Sequence, residues 1–197
     1  MKTGLILCAG GTGCNVAAYF RNNSLPDVPG WQLDVLALDT PGHRIDKAGR
    51  NRLHSLSSVE HGAVDMNWLL KRIVAADRII LVGCMGGNAG RRLLPFLATM
   101  ARACALPVSA ILLLPFQFEG KKRYELTVLG NSVMQPLTDH VELLDNENIL
   151  NFSAQVSLQE QFKQQFRHIG ELCARLLCET EGKIASAKTT VGEAEHC

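Results

Sequence analysis

The sequence has almost no charge imbalance: 20 Lys and Arg stand against 19 Asp and Glu in 197 residues, a formal net charge of +1. Nucleic acid and anionic lipid surfaces attract proteins largely through an excess of cations, so neither is an expected partner. No apolar run reaches membrane-spanning length, and the one at the N-terminus, MKTGLILCAGG, is too short for a signal-peptide core. A soluble cytoplasmic protein without a direct membrane anchor is the expectation. The 7 cysteines form no Cys-x-x-Cys pair and lie mostly in apolar or glycine-rich stretches, as reduced thiols do. The 6 histidines show neither paired helical spacing nor a cysteine at metal-ligand spacing, which argues against a metal site. No serine sits in a Gly-x-Ser-x-Gly turn, which argues against a hydrolase elbow.

What is present is a core: 47% of residues are hydrophobic and 20% charged, enough for one domain of this length. Apolar runs at 5–8, 33–38, 78–82 and 108–114 are continuous rather than alternating, the pattern of strands buried on both faces of a parallel sheet, and 141–144 is a weaker fifth. Between them lie stretches of helical period at 15–21, 64–75, 91–103 and 122–134. Strand and helix therefore alternate, which predicts an α/β domain with a doubly wound, mostly parallel, Rossmann-like sheet and ligands beyond the carboxyl ends of its strands. A further helix is expected over 155–177, with Leu158, Phe162, Phe166, Ile169, Leu172, Cys173, Leu176 and Leu177 on one stripe and polar residues opposite. The domain should cover 1–180, and 181–197, small and unpatterned, should be a disordered tail. Because one face of the long helix is hydrophilic, we expect water there rather than a second domain.

Three loops carry the chemistry. The first strand runs through Cys8-Ala9-Gly10-Gly11-Thr12-Gly13-Cys14-Asn15 into a helix, a turn whose backbone N–H groups face an anion. It is neither a Walker A loop nor a Gly-x-Gly-x-x-Gly fingerprint, and a tight turn with packing glycines is the plainer alternative. The second, Gly83-Cys84-Met85-Gly86-Gly87-Asn88-Ala89-Gly90-Arg91-Arg92, follows the 78–82 strand, so two helix N-termini should converge on one polyphosphate. The third is Pro115-Phe116-Gln117-Phe118-Glu119-Gly120-Lys121-Lys122-Arg123. There Glu119 suits ribose hydroxyls and Arg123 a phosphate, unless the two form an ordinary surface ion pair.

GGTGCN, MGGNAG, PFQFEGKKR and the later Leu144-Asp145-Asn146-Glu147-Asn148-Ile149-Leu150 occur in the order seen in FtsZ, the bacterial relative of tubulin, and the chain resembles that family over about 5–177. The resemblance implies an FtsZ-type nucleotide-binding domain that takes GTP or GDP, with Mg2+ accompanying GTP. It places Gly10, Gly11, Thr12 and Asn15 around the phosphates, and Gly86, Gly87, Asn88, Ala89 and Gly90 in the signature loop. It assigns ribose and phosphate to Glu119 and Arg123, the guanine edge to Asn146, and the face of the base to Phe162. Asp39 stands near an asparagine of the family at the exit of the second strand.

The sequence also departs from that family. Its signature GGGTGTG has lost both threonines here, and Arg91 and Arg92 follow instead. Between Pro41 and Asn67 only Gly62-Ala63 echoes the loop that senses the terminal phosphate; the stretch is rich in Arg44, Lys47, Arg50, Arg52, His43, His54 and His61, as a solvated loop or an anion-binding one would be. Phe166 replaces a polar base contact. After the long helix, no Asn-x-Asp-x-x-Asp pattern appears among residues 178–197. The expectation is a guanine-nucleotide-binding or scaffold module with weak or absent hydrolysis, similar to short superfamily members linked to membrane remodelling. Two alternatives stay open: a self-associating GTPase that completes its site in trans with Glu179, Glu181 or Arg91, and a nucleotide-free domain whose pocket is filled by Arg91 and Arg92 and whose ligand is a protein partner.

Overall fold

The computed structural model describes residues 1–23, 25–40, 54–55, 66–150 and 157–192. The continuous apolar runs are strands: β1 (Lys2–Ala9), β2 (Trp31–Asp39), β4 (Arg78–Gly83), β5 (Val108–Leu114) and β6 (His140–Asp145), with a two-residue β3 (His54–Ser55). They pair in parallel in the order β3-β2-β1-β4-β5-β6. This is a doubly wound sheet of five full strands, lengthened at one edge by β3. The basic stretch beyond Thr40 lies outside the described residues over 41–53 and 56–65, Gly62 and Ala63 included.

The α-helices among the described residues are α1 (Gly10–Asn22), α2 (Met66–Val74), α3 (Asn88–Ala103), α4 (Lys121–Met134), α5 (Glu147–Leu150) and α6 (Leu158–Gly192). Alternate residues along each strand go to opposite faces. Leu5, Leu7, Ala9, Leu36, Leu38, Ile79 and Leu81 pack with Leu69 and Ile73 of α2 and with Leu93, Leu94 and Leu97 of α3. Ile6, Cys8, Ala37, Ile80, Val82, Ile111 and Leu113 pack with Val16 and Phe20 of α1 and with Ile169, Leu172, Cys173 and Leu176 of α6. Each fully buried Leu or Ile contributes about 1.5–3 kcal/mol by leaving water, which is why both faces must be covered.

Helix starts differ from the periodicity reading. α1 begins at Gly10 rather than at 15, and α3 at Asn88 rather than at 91. Glycine and asparagine have poor helix propensity but are tolerated in a first turn, whose N–H groups need no intrahelical partner. At the other end, α6 does not stop near 177: its backbone is helical to Gly192, so the expected tail is helical over 181–192, where Ala185, Ala187 and Lys188 favour helix. Its apolar stripe is also shorter than expected. Ile169, Leu172, Cys173, Leu176 and Leu177 are buried, whereas Leu158 is 52% exposed because it sits at the free first turn.

The interior thiols are held neutral. Burial raises the Cys8 thiol well above its usual range, and burial pushes Cys173 up to about 12. At about pH 8 an alkylating reagent is expected to label the exposed Cys178 and to spare Cys8 and Cys173 until denaturant is added, as read by peptide mass mapping. Replacing Ile169, fully buried between α6 and the sheet, by alanine should lower stability by about 2–5 kcal/mol in urea unfolding.

Candidate functional site

In the strand order, β1 and β4 are neighbours whose following helices cover opposite faces, so the crevice beyond their carboxyl ends is the topological switch point. A cavity of about 410 Å³ opens there. It is lined by Gly10, Gly11 and Thr12 from the start of α1, by Gly86, Gly87, Asn88, Ala89 and Gly90 from the β4–α3 turn, and by Glu119, Arg123 and Asn146. Ala9 and Cys84 also line it, two residues that the motifs did not single out. A small residue at a strand end and a thiol inside a glycine loop carry no chemical pattern that would have found them.

Both helices that point at the cavity do so with open N-termini. The N-cap of α1 is Ala9 and that of α3 is Gly87; neither side chain caps its helix, and neither first turn contains an acid. Their first N–H groups and the positive ends of their dipoles are therefore available to an anion. The two turns come close at Gly10, Ala89 and Gly90. Gly10 has φ +72°, and a Cβ on it would lie 3.0 Å from the Gly90 nitrogen. A Cβ on Gly90 would lie 2.0 Å from the Cys84 carbonyl oxygen, a contact no side chain permits. At Gly11 and Gly87, by contrast, a Cβ would meet nothing within 4 Å, so space for a close backbone approach remains.

The third loop is a short 3-10 turn over Gln117–Glu119 leading into α4. Glu119 reaches back so that its Oε1 accepts the Phe116 N–H at 2.9 Å, while its Oε2 is paired with Arg123. The ion-pair alternative is thus what the structure contains, but it is made at the cavity wall. Arg123 is pinned a second way, since its carbonyl accepts the Thr127 hydroxyl at 3.0 Å. Asn146 follows β6, is 7% exposed, and takes a hydrogen bond at 2.8 Å from Gln165 of α6.

Asn15, Asp39 and Phe162 are not brought into the cavity wall. Asn15 is exposed one turn further along α1. Asp39 is buried at the end of β2, with Oδ1 accepting the Thr40 N–H at 2.8 Å; beside it the Cys14 thiol is pushed up to about 11, by burial first and then by the Asp39 charge. Phe162 packs edge-on against Phe116 at 5.9 Å, one member of an aromatic row in which Phe116 stacks on Phe118 at 4.9 Å and Phe162 lies 6.0 Å from Phe166. Arg91 and Arg92 are exposed on α3 and do not line the cavity, because the helix turns Ala89 and Gly90 inward in their place. They do not fill the pocket.

The strand order and the switch-point cavity define a doubly wound α/β protein with two glycine turns at its candidate site. Comparison with known proteins makes this more particular. No family model matches the chain. Its sequence relatives are cell division proteins FtsZ: 26% identical over 115 residues to that of Mycoplasmopsis pulmonis, covering 58% of this chain and 29% of the relative, and 28% identical over 125 residues to that of Buchnera aphidicola, covering 61% and 32%. Among solved structures, the FtsZ dimer of M. jannaschii superposes with a TM-score of 0.66 at 16% identity, covering 88% of this chain and 52% of that one. CetZ from Methanosaeta thermophila gives 0.64 at 17%, covering 90% and 54%. The chain is FtsZ-like in sequence over about half its length and in fold over most of it, and it spans about a third of the curated relatives it matches. Among the described residues, no helix is long and apolar enough to cross a membrane.

Because the β4–α3 turn closes on itself between Gly90 and the Cys84 carbonyl, Gly90→Ala should cost about 1–3 kcal/mol in urea unfolding as the Cys84 backbone is pushed away. Gly11→Ala should leave stability unchanged or raise it by up to about 1 kcal/mol.

Proposed function

We propose that the chain holds a guanine nucleotide, GDP or GTP, in the switch-point cavity, and that it acts as a binding or scaffold module that hydrolyses GTP weakly or not at all. The observation that carries the proposal is the convergence of two uncapped helix N-termini on one cavity, with open space at Gly11 and Gly87. Diphosphate oxygens would take the N–H groups of both turns, Thr12 and Asn88 adding polar side chains. The Glu119–Arg123 pair supplies a carboxylate for ribose hydroxyls and a guanidinium beside the phosphates. Asn146 then meets the edge of the base. A fold neighbour solved with GDP bound, CetZ1 from Haloferax volcanii, with a TM-score of 0.61 at 19% identity, supports this choice of ligand.

Weak cleavage follows from the same wall. Orienting water for attack on a phosphate needs a free carboxylate or an equivalent group. Glu119 is the only acid lining the cavity among the described residues, and both of its oxygens are engaged. For Mg2+, which seeks near-octahedral oxygen ligands, the described wall offers the Thr12 hydroxyl, the Asn88 amide oxygen, the Asn146 oxygen already bonded to Gln165 and one engaged carboxylate, so most ligands would come from phosphate and water. Self-association is supported by a further fold neighbour, TubZ from bacteriophage PhiKZ, solved as a protofilament, with a TM-score of 0.57 at 14% identity over 90% of this chain and 56% of that one. We assign any role at membranes to a protein partner or to assembly of copies of the chain.

Calorimetric titration of the nucleotide-stripped protein should show one site for GDP and for GTP, weakened about tenfold or more by Arg123→Ala, which takes the partner from Glu119. No heat at high micromolar nucleotide would overturn the reading. Steady-state phosphate release should stay near background; turnover that rises steeply with protein concentration and is abolished by Arg123→Ala would instead establish the GTPase completed in trans.

A further inference from the structure

Resting on that nucleotide reading, we propose that Gln165 decides which purine the cavity accepts, by fixing the side-chain amide of Asn146 so that it offers N–H groups rather than a carbonyl to the base. Gln165 belongs to α6 and does not line the cavity; it acts through Asn146 and is a positioning residue.

The backbone around Asn146 is pinned from both sides. Asp145 Oδ1 accepts the Glu147 N–H at 2.9 Å, and Glu147 Oε1 accepts the Gln117 N–H at 2.6 Å. With the chain held there and Asn146 only 7% exposed, the main freedom left to its side chain is the half-turn that exchanges Oδ1 for Nδ2. Gln165 removes that freedom. Its Nε2 donates to Asn146 Oδ1 at 2.8 Å, which turns the carbonyl towards α6 and leaves the two Nδ2 hydrogens as what Asn146 has to offer the cavity it lines.

The direction of this hydrogen bond is set by its surroundings. Gln165 Oε1 is buried and has no hydrogen-bond partner among the described residues. Reversing both amides would place an NH2 group, with two hydrogens to satisfy, where that single oxygen now lies. Unpaired buried N–H groups are rarer than under-satisfied carbonyls, so the observed direction is the favoured one.

An amide N–H at the base edge distinguishes purines at position 6. A 6-oxo purine presents an acceptor there and completes a hydrogen bond. A 6-amino purine presents a donor, so two donors meet and both go unpaired. Sites built on such polar contacts reject the mismatched ligand far more strongly than apolar pockets do.

The test uses the full chain, stripped of nucleotide, with dissociation constants for GDP, IDP and ADP measured by calorimetry. The wild type should bind GDP and IDP, both 6-oxo, within a few-fold of one another, and ADP about tenfold or more weakly. Gln165→Leu frees the Asn146 amide to turn, so the ADP to GDP ratio of dissociation constants should fall about tenfold, towards one, while inorganic pyrophosphate binds as before. A merely structural residue would weaken GDP, ADP and pyrophosphate together and leave the ratio alone. Should Gln165→Leu fail to fold, Gln165→Glu at about pH 8, which accepts rather than donates, reads the same ratio and should move it the same way. An unchanged ratio with GDP still bound overturns this role for Gln165 and leaves the nucleotide site standing. A wild type that binds purine nucleotides without preference at position 6 does the same, whereas one that binds none overturns both.

Discussion

Parallel pairing of β1 with β4, which sets Ala9 opposite Gly83, is what the rest of the candidate site depends on. Because the two strands run the same way and end together, the turns that leave them emerge on one edge of the sheet. Because the chain enters α1 on one face and α3 on the other, those turns part and leave a crevice between them. Residues without a side chain let them meet closely, as the 3.0 Å approach of a Gly10 Cβ to the Gly90 nitrogen shows. The glycines here thus serve two ends: Gly10 and Gly90 allow the backbones to touch, while Gly11 and Gly87 leave room outside that contact.

Burial of the sheet on both faces gives this arrangement its rigidity. Residues such as Ile80, Leu81 and Val82 on β4 are fully buried, so the turn that leaves this strand is anchored in close-packed neighbours. Donors at the crevice are consequently aimed before any ligand arrives. The polar side chains are pre-set in the same way, Glu119 locally by the Phe116 N–H and Arg123, and Asn146 by Gln165 of α6. A wall made of backbone dipoles, one ion pair and one oriented amide is suited to holding a charged ligand. The one carboxylate that lines it among the described residues is already engaged, which is the basis of the weak hydrolysis we propose.

The strands and the order of helices were legible in the sequence because continuous apolar runs have one economical outcome, a parallel sheet covered on both faces. The two glycine turns were legible too, since clustered glycines between such a run and a helical period mark a tight strand-to-helix turn. Less was readable where no periodicity exists. The two-residue β3 lies in a polar, basic stretch, and the first turns of α1 and α3 are made of residues that rarely start a helical pattern. Phe162 and Arg91 illustrate a different limit, because motif position says which loop or helix a residue occupies but not which way the completed packing turns it.

Sequence by itself determined the doubly wound α/β class, the two glycine turns and the candidate Glu119, Arg123 and Asn146. The fold class, the turns and the Glu119–Arg123 pair rest on patterns within or next to one element, where spacing translates directly into geometry, whereas Asn146 rests on the resemblance to FtsZ. Only the tertiary structure decided that Phe162 joins an aromatic row, that Arg91 and Arg92 face away from the cavity, and that Gln165 of α6 reaches Asn146 beyond β6. Such contacts join residues far apart along the chain. Their existence depends on the angle and register at which whole helices settle on the sheet, quantities set by the packing of the entire core and by no local pattern.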